Sequence, residues 1–218
     1  MYNVQKDLLE KSFTTTPRNI DSHILKFCHE ISPNHQPCFL SIDQSKGFPP
    51  NECFYNVRKQ IDRDGGTIIF GWKIWVWRNV FIEAEHHAVW EIEGHMNDIT
   101  PNVSGETTIL FLPDPKCHFD YTNMKRKLNI RRALANIVEV QRFITAADAL
   151  YAFMERNSEG RQIRCDVFEL ERYQYKLHLA SQELLIRLWQ DTKPNDPCFC
   201  GRTQKFKKCC YPLIELHS

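Results

Sequence analysis

A chain of 218 residues, 42% hydrophobic and 25% charged, carries enough apolar material for one ordinary domain with a core and a small appendage. Its formal net charge of +1 excludes attraction of the molecule as a whole to nucleic acid or an anionic membrane, so any electrostatic targeting has to be local. The amino-terminal MYNVQKDLLEKSF is too charged for a secretory signal, and the richest apolar run, residues 67–82, is broken by Lys73 and Arg78 well short of the roughly 20 residues a membrane span needs. A soluble, cytoplasmic protein with no membrane partner is expected.

In chain order, residues 1–32 read as helical, with Leu8, Leu9, Phe13, Ile20, Ile24, Leu25 and Phe27 near helical spacing and a break at Pro17. Residues 38–42 read as a short strand, and a loop with Gly47, Pro49 and Pro50 follows. Asn51 is a good helix N-cap, which puts Cys53 in the first turn of a helix carrying Phe54, Val57 and Ile61 on its buried stripe. Asp64-Gly65-Gly66 ends that helix. Strands are then expected over residues 67–77, 81–91, 97–100 and 107–112, separated by Arg78-Asn79, Glu93-Gly94 and a longer loop. From Ile130 onward the periodicity turns helical: Leu134, Ile137, Val138, Ile144, Leu150, Tyr151 and Met154, then Phe168, Tyr173, Leu177, Leu184, Leu185 and Leu188. The expected organisation is an α+β core over residues 1–120, a helical pair over 121–191 and a cysteine tail over 192–218.

Nine cysteines are present, and Cys198, Cys200, Cys209 and Cys210 crowd into the tail. In a reducing compartment such clustering points to metal rather than to disulfides. Four thiolates suit tetrahedral zinc, which would supply the folding energy of a segment with almost no core of its own. The polar break at Thr192-Lys193-Pro194 makes this knuckle an expected separable module. With its Asn195-Asp196-Pro197 lead-in, Gly201, basic run and paired final cysteines, the tail resembles the SEC-C motif. Lys205, Lys207 and Lys208 around Phe206 are candidate contacts to nucleic acid or to an acidic protein surface, or simply solvate the knob.

A second constellation is Cys53, His87 and Asp98. Backbone N–H groups at a helix start favour a thiolate, a histidine on a neighbouring strand takes the thiol proton, and a carboxylate on the next strand holds the imidazole in the right tautomer. Strand neighbours point to opposite faces, so His86 and His87 cannot share one task. His86, alternating with Ala84, Ala88 and Trp90, is assigned to the core. His87, alternating with Glu83 and Glu85, is assigned to a polar side where a cleft is expected. Glu85 is a candidate secondary orienter. The Cys53 N–H and the Gln44 side chain are candidate oxyanion donors. Cysteine is also a common small buried hydrophobe, and that plainer role stays open.

The order Cys53, Gly65-Gly66, Gly71-Trp72, His87-Ala88-Val89-Trp90-Glu91, Asp98-Ile99-Thr100-Pro101 resembles the transglutaminase-like branch of the papain-type cysteine fold. Two departures are the inserted Val89 and Glu52, rather than a small residue, before the cysteine. The resemblance implies a small antiparallel sheet with a Cys-bearing helix and a thiol hydrolase or acyltransferase acting on amide bonds of a protein or peptide substrate: a protease, isopeptidase, deamidase or transglutaminase-like enzyme. The alternative is a non-catalytic adaptor that uses its zinc-binding tail to contact protein or nucleic acid.

Overall fold

The computed structural model describes residues 2–160 and 162–216. The elements are β1 (Tyr2–Val4), α1 (Lys6–Leu9), α2 (Ser22–Ile31), β2 (Cys38–Ser41), α3 (Cys53–Asp64), β3 (Thr67–Trp77), β4 (Phe81–Ile92), β5 (His95–Asn97), β6 (Thr108–Pro113), β7 (Ile130–Ala133), α4 (Val138–Arg156), β8 (Ser158–Glu159), β9 (Gln162–Ile163), α5 (Val167–Asp191) and β10 (Ile214–Leu216). The class is α+β, with a small antiparallel sheet, several helices and a carboxy-terminal cysteine cluster. No helix among the described residues is long and apolar enough to cross a membrane.

The chain divides into two compact units that do not follow sequential thirds: residues 1–15, 76–82 and 131–218 form one, residues 16–75 and 83–130 the other. The second unit holds most of the sheet, whose strands run in the order β2-β6-β3-β4-β5, with β7 also pairing β4. Register follows the apolar pattern: Leu40 faces Ile109, Trp72 faces Leu112 and Ile74 faces Leu110. A parallel bridge between Ile42 and Asp98 joins the ends of the first and last strands of that order, so the sheet curls until its edges touch. Ile42, Val89, Ile109 and Phe111 fill one face. On the other, α3 packs Phe54 and Val57 against Ala88, Trp90 and Ile99. Gly71 is required where β3 meets β6, because a Cβ there would run into the Leu112 carbonyl oxygen.

The first unit is built on α4 and α5, with Val140, Ile144, Leu184 and Leu185 buried between them and Trp77, Val80 and Phe81. Here β1 pairs antiparallel with β10.

Several expectations are corrected. The expected amino-terminal helix shrinks to the single turn α1 followed by an extended segment, whose Thr15 pairs with Val76 through hydrogen bonds of 3.1 and 2.9 Å. The run Ser12-Phe13-Thr14-Thr15-Thr16 is rich in β-branched residues, and Phe13 reaches its burial by stacking on Trp77 at 4.4 Å rather than by lying on a helical stripe. Ile130 opens a strand, not a helix; helical spacing of apolar residues does not separate a strand-then-helix from one long helix. Strand β5 stops at Asn97, because the Asp98 carboxylate captures the Thr100 N–H at 2.9 Å and turns the chain away.

Candidate functional site

The sequence singled out two clusters, and the structure brings each one together. The first lies at the start of α3. Asn51 adopts φ +62° and Glu52 is the N-cap, so the helix begins one residue later than an Asn51 cap implies and Cys53 is its first residue. His87 projects from β4, and its Nε2 lies 3.1 Å from Asp98 Oδ2. The turn that ends β5 sets up this pair: one carboxylate oxygen is held by the Thr100 N–H, which leaves the other for the imidazole.

Burial alone would push the His87 imidazole down. The negative charges of Asp98 and Cys53, and hydrogen bonds to both side chains, outweigh it and raise His87 to about 10. The imidazole is therefore engaged by the thiol as well as the carboxylate, as a Cys–His–Asp arrangement requires. The exposures are small: 5% for Cys53, 5% for His87 and 0% for Asp98.

Those values correct one expectation. His87 does not look onto a polar side of the sheet, since both histidines are buried. The curl of the sheet encloses the His87 face, while α3 and the loop after β6 cover the His86 face. Phe119 from that loop stacks on Phe54 at 4.3 Å, the Tyr121 hydroxyl donates to the Phe54 carbonyl at 3.0 Å, and Arg126 donates to the Asn51 carbonyl at 3.2 Å. His86 is the core histidine expected of it. Its Nε2 bonds the Cys117 carbonyl at 3.0 Å, its Nδ1 accepts from the Lys127 N–H at 2.9 Å, and burial holds it down at about 4, in the neutral form.

Of the secondary candidates, Glu85 accepts from the Trp75 indole N–H at 2.7 Å, a contact that ties β4 to β3. Gln44 is exposed, one residue beyond Asp43, whose N–H bonds the Asp98 carbonyl at 2.7 Å. Sequence reading missed Asn56. It is 1% exposed, and its Nδ2 donates to Thr100 Oγ1 at 3.0 Å and to the Pro49 carbonyl at 2.9 Å. The available signal was an amide beside Val57 on an otherwise apolar helix stripe.

The second cluster lies in the tail. Cys198 and Cys200 flank a tight turn in which the Gly201 N–H bonds the Cys198 carbonyl at 3.1 Å, and Cys209 and Cys210 follow the short helical turn Phe206–Lys208. Hydrogen bonds from Phe206 N to Asp196 O at 2.8 Å and from Cys198 N to Gln204 O at 3.1 Å clamp the halves together. All four sulfurs lie within 4.8 Å of one another, with Cys200 and Cys209 at 3.4 Å and Cys209 and Cys210 at 3.9 Å. A tetrahedron with metal–sulfur bonds of about 2.3 Å has edges of about 3.8 Å, so the donor set fits a single four-coordinate ion. Among themselves the thiols share charge poorly. Hydrogen bonding, led by Cys210, drops Cys200 to about 4, while burial and its bonds to the other sulfurs lift Cys209 to about 11, and Cys210 is raised chiefly by its bond to Cys200. A divalent cation would let all four ionise together.

The knuckle is not a separable knob. Cys198, Cys200, Phe206 and Cys210 share one apolar cluster with Leu8, Trp77, Leu184, Leu185 and Ile214, and Phe206 is 0% exposed. The Trp77 indole N–H donates to the Phe199 carbonyl at 2.8 Å, and that of Trp189 to the Tyr211 carbonyl at 3.0 Å. Lys205, Lys207 and Lys208 all stand exposed on its outer side.

Compared with known proteins, residues 195–212 match the SEC-C motif family. No curated protein and no solved structure matches the chain significantly. The carboxy-terminal segment thus carries a SEC-C motif with its four metal-ligating cysteines in place.

Proposed function

We propose that the chain is a thiol-dependent hydrolase or acyltransferase acting on amide bonds, with a zinc ion in its SEC-C tail. The observation that carries the reading is the convergence of Cys53, His87 and Asp98, from a helix start, a strand and a turn, into one hydrogen-bonded cluster. In this reading the Cys53 sulfur attacks the carbonyl carbon while its proton resides on His87. The C–N bond breaks as His87 protonates the leaving amine, and water or a second amine, deprotonated by His87, resolves the thioester and frees the thiol. Asp98 keeps the imidazole oriented. The Cys53 N–H, with Gln44 across the turn, is the candidate donor set for the oxyanion. The order of the motif residues keeps the resemblance to the transglutaminase-like branch as supporting context, and a protein or peptide is the substrate class it implies. Zinc is the metal favoured by an all-thiolate tetrahedral shell, and there it would hold the knuckle folded.

The low exposure of Cys53 favours a second reading, a non-catalytic zinc-binding adaptor that contacts protein or nucleic acid through Lys205, Lys207 and Lys208. Alkylation by iodoacetamide with mass mapping separates the two. The enzyme reading expects Cys53 to react fastest among the cysteines at neutral pH and His87→Ala to abolish that lead. A Cys53 as inert as buried Cys28 would sink it.

A further inference from the structure

Building on the triad assignment, we infer that Asn56 and Thr100 are positioning residues that tie the nucleophile's helix to the Asp98 carboxylate. The link runs through named atoms. Asn56 sits three residues after Cys53, on the same side of α3. Its amide donates to Thr100 Oγ1 at 3.0 Å, the Thr100 N–H donates to Asp98 Oδ1 at 2.9 Å, and Asp98 Oδ2 meets His87 Nε2 at 3.1 Å. Because His87 also engages the Cys53 thiol, the circuit closes on the helix from which it began. The same Asn56 amide donates to the Pro49 carbonyl at 2.9 Å and so fixes the loop that leads into Cys53.

Packing alone does not account for this amide. Asn56 is 1% exposed, beside Phe54 and Val57, where an aliphatic side chain would fill the space with no polar group to satisfy. Thr100 is likewise buried, and its hydroxyl is the acceptor that Asn56 uses. The circuit couples two separately positioned elements, the start of α3 and the turn after β5, that have to stay in register for thiol and imidazole to meet. A small misplacement of reacting groups is costly out of proportion to its size.

The test uses the full-length chain and reads the pH dependence of Cys53 alkylation by iodoacetamide, alongside the thermal midpoint. Thr100→Val keeps shape and the backbone N–H to Asp98 but loses the acceptor; Asn56→Leu loses the donor; Thr100→Ser keeps the link. Thr100→Val and Asn56→Leu are expected to slow Cys53 alkylation at neutral pH about tenfold and to displace its pH profile, with the double variant no slower than either single one. Thr100→Ser is expected to retain the native profile. If His87→Ala changes the profile while Thr100→Val leaves it native and only lowers the thermal midpoint, the positioning role is overturned and the triad stands. If His87→Ala also leaves the profile native, the triad falls and takes the positioning role with it.

Discussion

The sulfur knuckle and the Cys53–His87–Asp98 cluster are both buried polar sites lined by aromatic rings, but they are assembled in opposite ways. The knuckle takes four identical donors from residues 198–210, and its turns are closed by hydrogen bonds within that segment. The triad takes three different groups from residues 53–98, and they meet only because α3 lies against the sheet and the sheet curls until Ile42 and Asp98 bridge. The comparison teaches that local ligand geometry does not make a site autonomous. The knuckle's sulfurs are a local achievement, yet Phe206 and three of the cysteines are part of the core that α5 and Trp77 share.

The largest expected effect breaks the idea of a detachable knuckle. Cutting the chain after residue 191, or stripping the metal with a strong chelator, should abolish the cooperative thermal transition of the α4–α5 unit, because Trp77, Leu184 and Leu185 lose the surface they pack on. Phe206→Ala alone should cost about 3–5 kcal/mol, the range for removing a fully buried phenylalanine. A truncated chain that melts with an unchanged transition would overturn this. Elemental analysis should find close to one zinc per chain, lost in Cys200→Ser.

Next in size is the charge pair of the triad. Asp98→Ala leaves a buried imidazolium without its carboxylate and should destabilise the chain at neutral pH by about 3–5 kcal/mol. Asp98→Asn, which keeps the bond to Thr100, should cost less. Denaturant titration reads both; equal losses would mean that shape rather than charge matters there.

The paired histidines sharpen the comparison further, because their contributions slope in opposite directions. His87 is raised to about 10, so the stability it adds is complete below its unfolded value near 6.5 and is lost as pH climbs from there through about 10. His86 is lowered to about 4 by burial, so the unfolded chain binds its proton first, and stability is lost as pH falls from about 6.5 toward 4. His87→Gln should flatten the alkaline limb of a stability–pH curve and leave the acid limb in place. A curve in which both limbs survive would remove His87 from the account.

The smallest effect is on the knuckle's outer face. Changing Lys205, Lys207 and Lys208 to alanine should move the melting temperature little, since exposed substitutions fall within about 0.5 kcal/mol. If the face binds nucleic acid, the triple change should abolish a salt-sensitive association. Binding that survives the change, or that ignores salt, would remove these lysines from the interface.

Much of the second unit was legible in the residues, and the reasons are local. Thr67 to Trp77 and Phe81 to Ile92 are long β-branched and aromatic runs around an Arg78-Asn79 turn, so period and turn chemistry agreed. The amino-terminal segment was misread because Leu8 and Phe13 are buried by partners distant in the chain, among them Trp77 for Phe13 and Leu184 for Leu8's cluster. Helical spacing cannot register such contacts. The face of His87 was misread for a related reason: alternation told which residues shared a face, but not that the sheet curls and buries both.

By itself the sequence determined the four-sulfur ligand set, the placement of Cys53 in the first turn of a helix, and the opposite facing of His86 and His87. Each follows from spacing within one short element, where backbone geometry leaves few alternatives. Only the tertiary structure decided that His87 meets both Asp98 and Cys53, that Asn56 and Thr100 close that circuit, and that the knuckle belongs to the α4–α5 core. These depend on which surfaces bury one another. Burial is a property of distant segments brought together, and no single stretch of chain encodes it.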